Sequence, residues 1–276
     1  MVDIYGGRNV TMASQPRGFF ERLEADRFAP TEFTRGPWDP DSQHAGPPAA
    51  LLGLAVERRP GAREDMRLAR ITYEILRPVP IKPLTVTTRV LRAGRSVEIV
   101  EASLVPEGGQ EVMRATALLI KAVPDSVPEV SRGPRVPGPE QSPSKAFFPV
   151  PWDIGYHTAM ELRFASGSFL EPGPATAWMR MREPLVAGEE TTPLSRVLTA
   201  ADSVNGVSAE LDYHRYVFIN PDLTVNLHRQ PVAEWVCLDA RTSVDSAGLG
   251  VAEASLHDEK GPIGRSVQSL YIAPRG

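Results

Sequence analysis

Cysteine is almost missing from this chain: Cys237 is the only one among 276 residues. No intrachain disulfide can form, and no cysteine-based zinc cluster either. Cys237 lies in the apolar run Trp235-Val236-Cys237-Leu238, which reads better as a packed thiol than as a nucleophile. Long apolar runs are missing too. None approaches the roughly 20 residues of a membrane span. Met1 to Gln15 lacks the basic-then-apolar pattern of a signal peptide, so the expectation is a cytoplasmic protein. Nor is there a basic surplus. With 34 acidic and 30 basic residues the formal charge is −4, which gives no electrostatic case for nucleic acid as a partner.

Several catalytic signatures are also absent. There is no GxSxG elbow, no Walker A loop and no GxGxxG fingerprint. His44, His157, His214, His228 and His257 are scattered, and no pair has the i, i+4 spacing of a helical zinc site. The sequence therefore calls for no metal and no redox cofactor.

What is present is a repeat. Glu101-Ala102-Ser103-Leu104 recurs as Glu253-Ala254-Ser255-Leu256. At the same offset Arg77 matches Arg229, and Leu118 and Ile120 match Leu270 and Ile272. A register kept through strand-like sequence implies one fold built twice. Within it the second copy turns polar: Asn220 stands where the first has Leu68, and Gln268 where the first has Thr116.

The expected organisation has four parts. Residues 1–17 form an N-terminal arm and 18–122 a first domain. Residues 123–146 form a linker punctuated by Pro124, Pro128, Pro134, Pro137, Pro139 and Pro143, extended because proline fixes φ and removes a donor. Residues 147–276 form a second domain. In the first domain a buried helix is predicted over 49–57, with Pro47 and Pro48 at its start, followed by strands over 67–76, 84–93, 96–106 and 111–121. In the second, strands over 158–165 and 176–182 precede a helix over 193–207. Thr192 would cap that helix and Pro193 open it. Strands over 217–227, 234–242, 250–257 and 262–272 complete the copy. The fold class is α+β: consecutive antiparallel strands bent round one helix, twice, with the two sheets joined edge to edge.

Three polar residues of the second copy could form a site. Asp202 interrupts an apolar helix, where a carboxylate is costly unless paired. Asn220 precedes Pro221, as turn residues often do. Gln268 lies in the last strand, where a lone amide is usually solvated. Helix, first following strand and last strand can converge in such a fold. The trio supplies one base and two amides able to orient a water toward a carbonyl. A second half of the site would lie at Gln43-His44-Ala45-Gly46-Pro47-Pro48, where a helix N-terminus offers backbone N–H groups. Pro47 and Pro48 cannot donate, so Ala45, Gly46 or Ala49 must. His44 faces either a ligand or only the loop. Arg77 and Arg229 occupy equivalent strand ends, and the structural ion pair is preferred there over phosphate binding.

These residues resemble a known family. Gly36-Pro37-Trp38-Asp39-Pro40 with Gln43-His44-Ala45-Gly46-Pro47-Pro48-Ala49-Ala50-Leu51-Leu52 looks like the first helix start of thioesterase-like double-hotdog proteins, related to acyl-CoA thioesterase II. Ile219-Asn220-Pro221-Asp222-Leu223-Thr224-Val225 and Gly264-Arg265-Ser266-Val267-Gln268-Ser269-Leu270 look like their second-domain strands. The resemblance spans roughly residues 18–274. It implies two tandem hotdog domains and hydrolysis of an acyl-CoA, in fatty acid metabolism, to free acid and CoA without a cofactor. In acyl-CoA thioesterase II an Asp, a Thr and a Gln hold the water. Asp202 and Gln268 match two of them, and Asn220 falls where that enzyme has Thr. Gly46 matches the glycine-containing helix start that faces the thioester, and His44 and Ala45 beside it are further candidates for substrate binding. Uncovered hotdog edges favour association, so a homodimer is expected. Two alternatives are a non-catalytic acyl-CoA binder and a hotdog enoyl-CoA hydratase or dehydratase. The latter pairs Asp and His on one short segment, whereas Asp202 has no His nearby in sequence.

Overall fold

The computed structural model describes residues 17–275, except 131, 132, 134, 146 and 148. All but one residue of the expected N-terminal arm lie outside the described residues. The first half contains β1 (Phe20–Arg22), β2 (Arg27–Pro30), α1 (Gly46–Arg58), β3 (Met66–Ile75), β4 (Leu84–Ala93), β5 (Val97–Pro106) and β6 (Met113–Lys121). The second contains α2 (Tyr156–Ala159), β7 (Met160–Ser168), β8 (Glu171–Met181), α3 (Pro193–Ala201), α4 (Val204–Val207), β9 (Tyr216–Ile219), β10 (Asp222–Leu227), β11 (Val236–Val244), β12 (Leu249–Asp258) and β13 (Gly261–Pro274).

All the ladders are antiparallel and merge into one sheet, ordered β1-β2-β4-β5-β6-β3-β10-β13-β12-β11-β8-β7, with β9 also on β13. The order reads as a palindrome about the β3–β10 seam. There Thr72 faces Thr224 and Ile71 faces Val225. Thr72 and Thr224 are 152 positions apart, and their hydroxyls lie 3.1 Å from each other. Two residues related by the repeat offset thus meet on a pseudo-twofold axis, as identical residues do in a symmetric dimer.

Strict alternation puts Val100, Ala102 and Leu104 of β5 inside, against α1. α1 is buried on nearly every side, as its continuous apolar sequence requires. It lies alongside α3 in the opposite sense: Gly46 approaches Thr199, while Glu57 accepts a hydrogen bond from Thr192 at the other end (2.9 Å). Cys237 is buried between Trp178 and Trp235, and burial pushes its thiol well up. That leaves it a packing group.

Several expectations need correction. α1 begins three residues before Ala49. Pro47 and Pro48 fit inside its first turn because N–H groups there have no helical acceptor anyway. The helix expected over 193–207 is two pieces, interrupted at Asp202 and Ser203. The strand expected over 217–227 breaks at Asn220-Pro221, where proline cannot donate to the ladder. β1, β2 and α2 are too short to leave a periodic pattern. Residues of the proline-rich stretch bind to the sheet: Pro137 O accepts from Trp178 Nε1 (2.7 Å) and Pro143 O from Phe164 N (2.9 Å).

The gapless repeat also slips by one residue in the last strand. Val100 pairs with Ala117 in the first half, and its counterpart Ala252 pairs with Gln268 in the second. Gln268 therefore occupies the place of Ala117, not Thr116. The hairpin from β12 to β13 is one residue shorter than that from β5 to β6. For the same reason Ile120 points outward, 44% exposed, while Ile272 is buried.

Candidate active site

Asp202 closes α3 as its C-cap residue. The backbone there tightens: Ser203 N–H donates to Ala200 O (2.9 Å) rather than continuing the helix to Thr199. Thr199 O is left for another donor, and Tyr156 Oη supplies it (2.9 Å). The same phenol lies 2.9 Å from Ser203 Oγ. Tyr156 thereby stabilises the break that points Asp202 inward.

The Asp202 carboxylate is 5% exposed. Its Oδ1 accepts from Asn220 Nδ2 (2.8 Å) and from Gln268 Nε2 (3.3 Å). Gln268 Nε2 also donates to Asp202 O (3.1 Å), and its Oε1 accepts from Asn205 N (3.3 Å). Both partners of the buried Gln268 amide are thus satisfied, which fixes the amide orientation. Oδ2 faces across to the first half, where His44 Nδ1 lies 3.1 Å away. Amides and imidazole around a carboxylate offset the cost of removing it from water.

His44 belongs to the loop that enters α1. Its ring lies flat on Tyr156, with centroids 3.7 Å apart and planes 5° from parallel. Burial pushes the His44 imidazole below its ordinary range, against the opposing pull of Asp202, so the neutral form is favoured. Burial also raises the Tyr156 phenol, which stays protonated as a donor.

Gly46 opens α1. Its N–H points at His44 Nδ1 (3.1 Å). A methyl group on its Cα would lie 2.3 Å from Thr199 O, so only glycine lets α1 approach the end of α3 this closely. Among the candidate donors, Ala49 N–H is already bound to Ala45 O (2.9 Å). Ala45 is the N-cap residue and offers no side-chain cap.

The structure thus gathers Asp202, Asn220 and Gln268, and brings His44 and Gly46 to them from the other half. Asp202 lacks a nearby His only along the sequence. In space the two are in contact, because α1 and α3 run side by side. Tyr156 carries no spacing signature in the sequence; the one signal available for it is that a buried phenol needs a hydrogen-bond partner. At the pseudo-twofold position Leu68 and Ala117 replace the two amides, so the other half has no matching trio.

Two cavities of about 270 and 250 Å³ lie outside this cluster. The larger is lined by Glu57, Arg59, Arg63, Arg67 and Leu68 at the far end of α1, and the smaller by Trp38, Tyr213, His214 and Arg275. Within the cluster Asp202, Gln268 and Gly46 are buried, and His44, Ala45 and Asn220 are half-buried. Arg229 closes a structural ion pair with Asp258 (2.7 and 2.8 Å), and Arg77 binds Glu111 O (2.7 Å).

Residues 34–120 match the family model of the acyl-CoA thioesterase N-terminal domain, and residues 136–272 that of the C-terminal domain. No curated protein matches the chain. Among solved structures, it is similar to a conserved hot dog fold protein of unknown function from Alicyclobacillus acidocaldarius, with 16% identity, 92% of this chain and 95% of that one covered, and a TM-score of 0.71. It is also similar to the acyl-CoA thioesterase II TesB2 of Mycobacterium marinum (15% identity, 93% and 95% covered, TM-score 0.65). The tesB protein of Mycobacterium avium subs paratuberculosis is a third (17%, 92% and 96%, 0.65). At such identities the structural likeness is one of fold, and it agrees with two tandem hotdog units.

Proposed function

The chain belongs to the acyl-CoA thioesterase family, with the N-terminal and C-terminal domains of that family in tandem, and on that premise we propose that it hydrolyses a fatty or related acyl-CoA to free acid and CoA with water activated by Asp202. One observation carries this reading. A buried carboxylate is held on one oxygen by two amides, while its other oxygen lies 3.1 Å from His44 Nδ1, in the loop that enters α1 from the opposite half. The thioester carbonyl would lie against Ala45 and Gly46. Water at half-buried Asn220 gives its proton to Asp202 and attacks the carbonyl carbon; the tetrahedral intermediate then breaks its C–S bond, and the leaving CoA thiolate takes that proton from Asp202. Asn220 and Gln268 fix the carboxylate, and the Asn220 carbonyl can accept the second water proton. The oxyanion is met by the Gly46 N–H. One such donor contributes about 3–4 kcal/mol, and a positioned base roughly a hundredfold or more in rate.

Thiol release from acyl-CoAs of short, long and aromatic type tests this, with wild type and Asp202→Asn compared. The variant is expected to fold and to lose at least about a hundredfold in turnover. Equal turnover would refute the role of Asp202. The contact between His44 and Asp202 favours a second reading, a hotdog enoyl-CoA hydratase or dehydratase. A product hydrated at the double bond with its thioester intact would establish it. Tight CoA-ester binding with no product would mark a non-catalytic binder. We assign the activity to cytoplasmic fatty acid metabolism. No helix among the described residues is long and apolar enough to cross a membrane. A homodimer is expected by light scattering, and a monomeric mass would refute it.

A further inference from the structure

His44 Nδ1 stands 3.1 Å from two groups at once, Asp202 Oδ2 and Gly46 N. A ring nitrogen of a neutral imidazole carries either a proton or a lone pair, so it can serve only one of these neighbours. With the proton on Nδ1 it donates to the Asp202 carboxylate, and Gly46 N–H is left without that acceptor. With the proton on Nε2 the Nδ1 lone pair captures Gly46 N–H and faces the carboxylate unfavourably.

We propose that His44 is a positioning residue that couples the charge of Asp202 to the availability of the Gly46 N–H. The Asp202 anion selects the Nδ1–H tautomer, and that tautomer leaves the Gly46 N–H to the oxyanion. The inference rests on the thioesterase reading for its catalytic meaning, but the coupling itself is a property of the resting protein. Three features fix the ring for this task. It lies flat on Tyr156. The Tyr156 hydroxyl is anchored to Thr199 O and Ser203 Oγ, the residues bracketing Asp202 at the end of α3. Burial keeps the imidazole neutral, so the choice is between two tautomers and not between charge states. Asp202 selects the tautomer as the anion, before it takes the water proton as base. The two halves of the repeat act as one unit, since the selector is in the second and the oxyanion donor in the first.

The test is nitrogen NMR of protein carrying ¹⁵N-labelled histidine, with the His44 signals assigned by their loss in His44→Gln. Protonated and unprotonated ring nitrogens resonate far apart. Wild type is expected to show Nδ1–H, and Asp202→Asn to shift to Nε2–H. An Nε2–H tautomer in wild type, or the same tautomer in both proteins, overturns the coupling. Tyr156→Phe keeps the stacked ring and loses only the hydroxyl, and is expected to keep the wild-type tautomer; loss of it there would mean that the Tyr156 hydroxyl, not Asp202, sets the tautomer, and would overturn the coupling. Turnover supplies the second arm. His44→Ala is expected to lose roughly a hundredfold in kcat with KM little changed, because Asp202 Oδ2 loses the donor that orients it. His44→Asn, whose amide can donate to Asp202, is expected to recover at least tenfold of that loss. A rise in KM alone would instead make His44 a substrate contact. If wild type turns over no CoA ester, the functional reading fails, while the tautomer measurement still decides the coupling.

Discussion

Gly46 has no room for a methyl group. Its missing side chain is what lets Thr199 O lie against the start of α1. Gly46→Ala is expected to push α1 and α3 apart, at a cost of about 1–3 kcal/mol from overpacking. Thermal unfolding would register the loss, and an unchanged midpoint would show that the helices give way freely. Turnover should fall further than stability does, because the donor and Asp202 move apart together. His44 gives a pH effect of definite sign. Its folded value is depressed, so the unfolded chain binds that proton first. Stability is therefore lost as the pH falls below about 6.5. His44→Asn should lose less stability than wild type between neutral pH and pH 5 in denaturant titrations; identical pH slopes would count against it. Asp202 was legible because it interrupts an apolar helix, and Asn220 and Gln268 because the second copy turns polar where the gapless repeat places Leu68 and Thr116. Gly46 was legible because glycine before two prolines needs a reason. Tyr156 was not, since a tyrosine between Gly155 and His157 gives no hint of what its hydroxyl reaches.

The helix that ends at Asp202 shows how an element boundary can be set from outside. Nothing in Leu198-Thr199-Ala200-Ala201-Asp202-Ser203-Val204 forbids a continuous helix, and a continuous helix was the natural reading. Tyr156, more than forty residues earlier, takes the Thr199 carbonyl and stabilises the tightened turn. Tyr156→Phe should leave that buried carbonyl unpaired and cost about 1–3 kcal/mol. Calorimetry or denaturant titration would read this, and a change below a few tenths of a kcal/mol would mean the turn holds by itself. The strands were better announced. β4 is observed at Leu84–Ala93, the span its β-branched run predicts, because local alternation and tertiary position agree there. The gapless repeat went wrong only where a hairpin dropped one residue. In a strand that single step exchanges inside for outside.

At the scale of the whole molecule the two halves are held by backbone as well as side chains. β3 and β10 pair across the pseudo-twofold axis, and α1 packs along α3. Proteolytic nicking near Val127 or Val130, 78% and 69% exposed, is expected to yield two fragments that still co-elute in size-exclusion chromatography. Separation of the fragments without denaturant would mean that the seam is weak. The doubled architecture and edge-to-edge joining were readable from the repeat. That the site draws on both copies was only partly readable, because facing helices leave no mark on sequence spacing.

The seam has a further consequence for how the chain is made. A ribosome delivers β3 long before its partner: the facing threonines are 152 positions apart. At about 5–20 residues per second, roughly 8–30 s pass between them. For that interval the inner edge of the first sheet and the flank of α1 meant for α3 are bare. A nascent first half therefore presents an unpaired strand of the kind that other copies on the same message can capture. Slow decoding of the second half should raise misassembly, and a chaperone that shields strand edges should lower it.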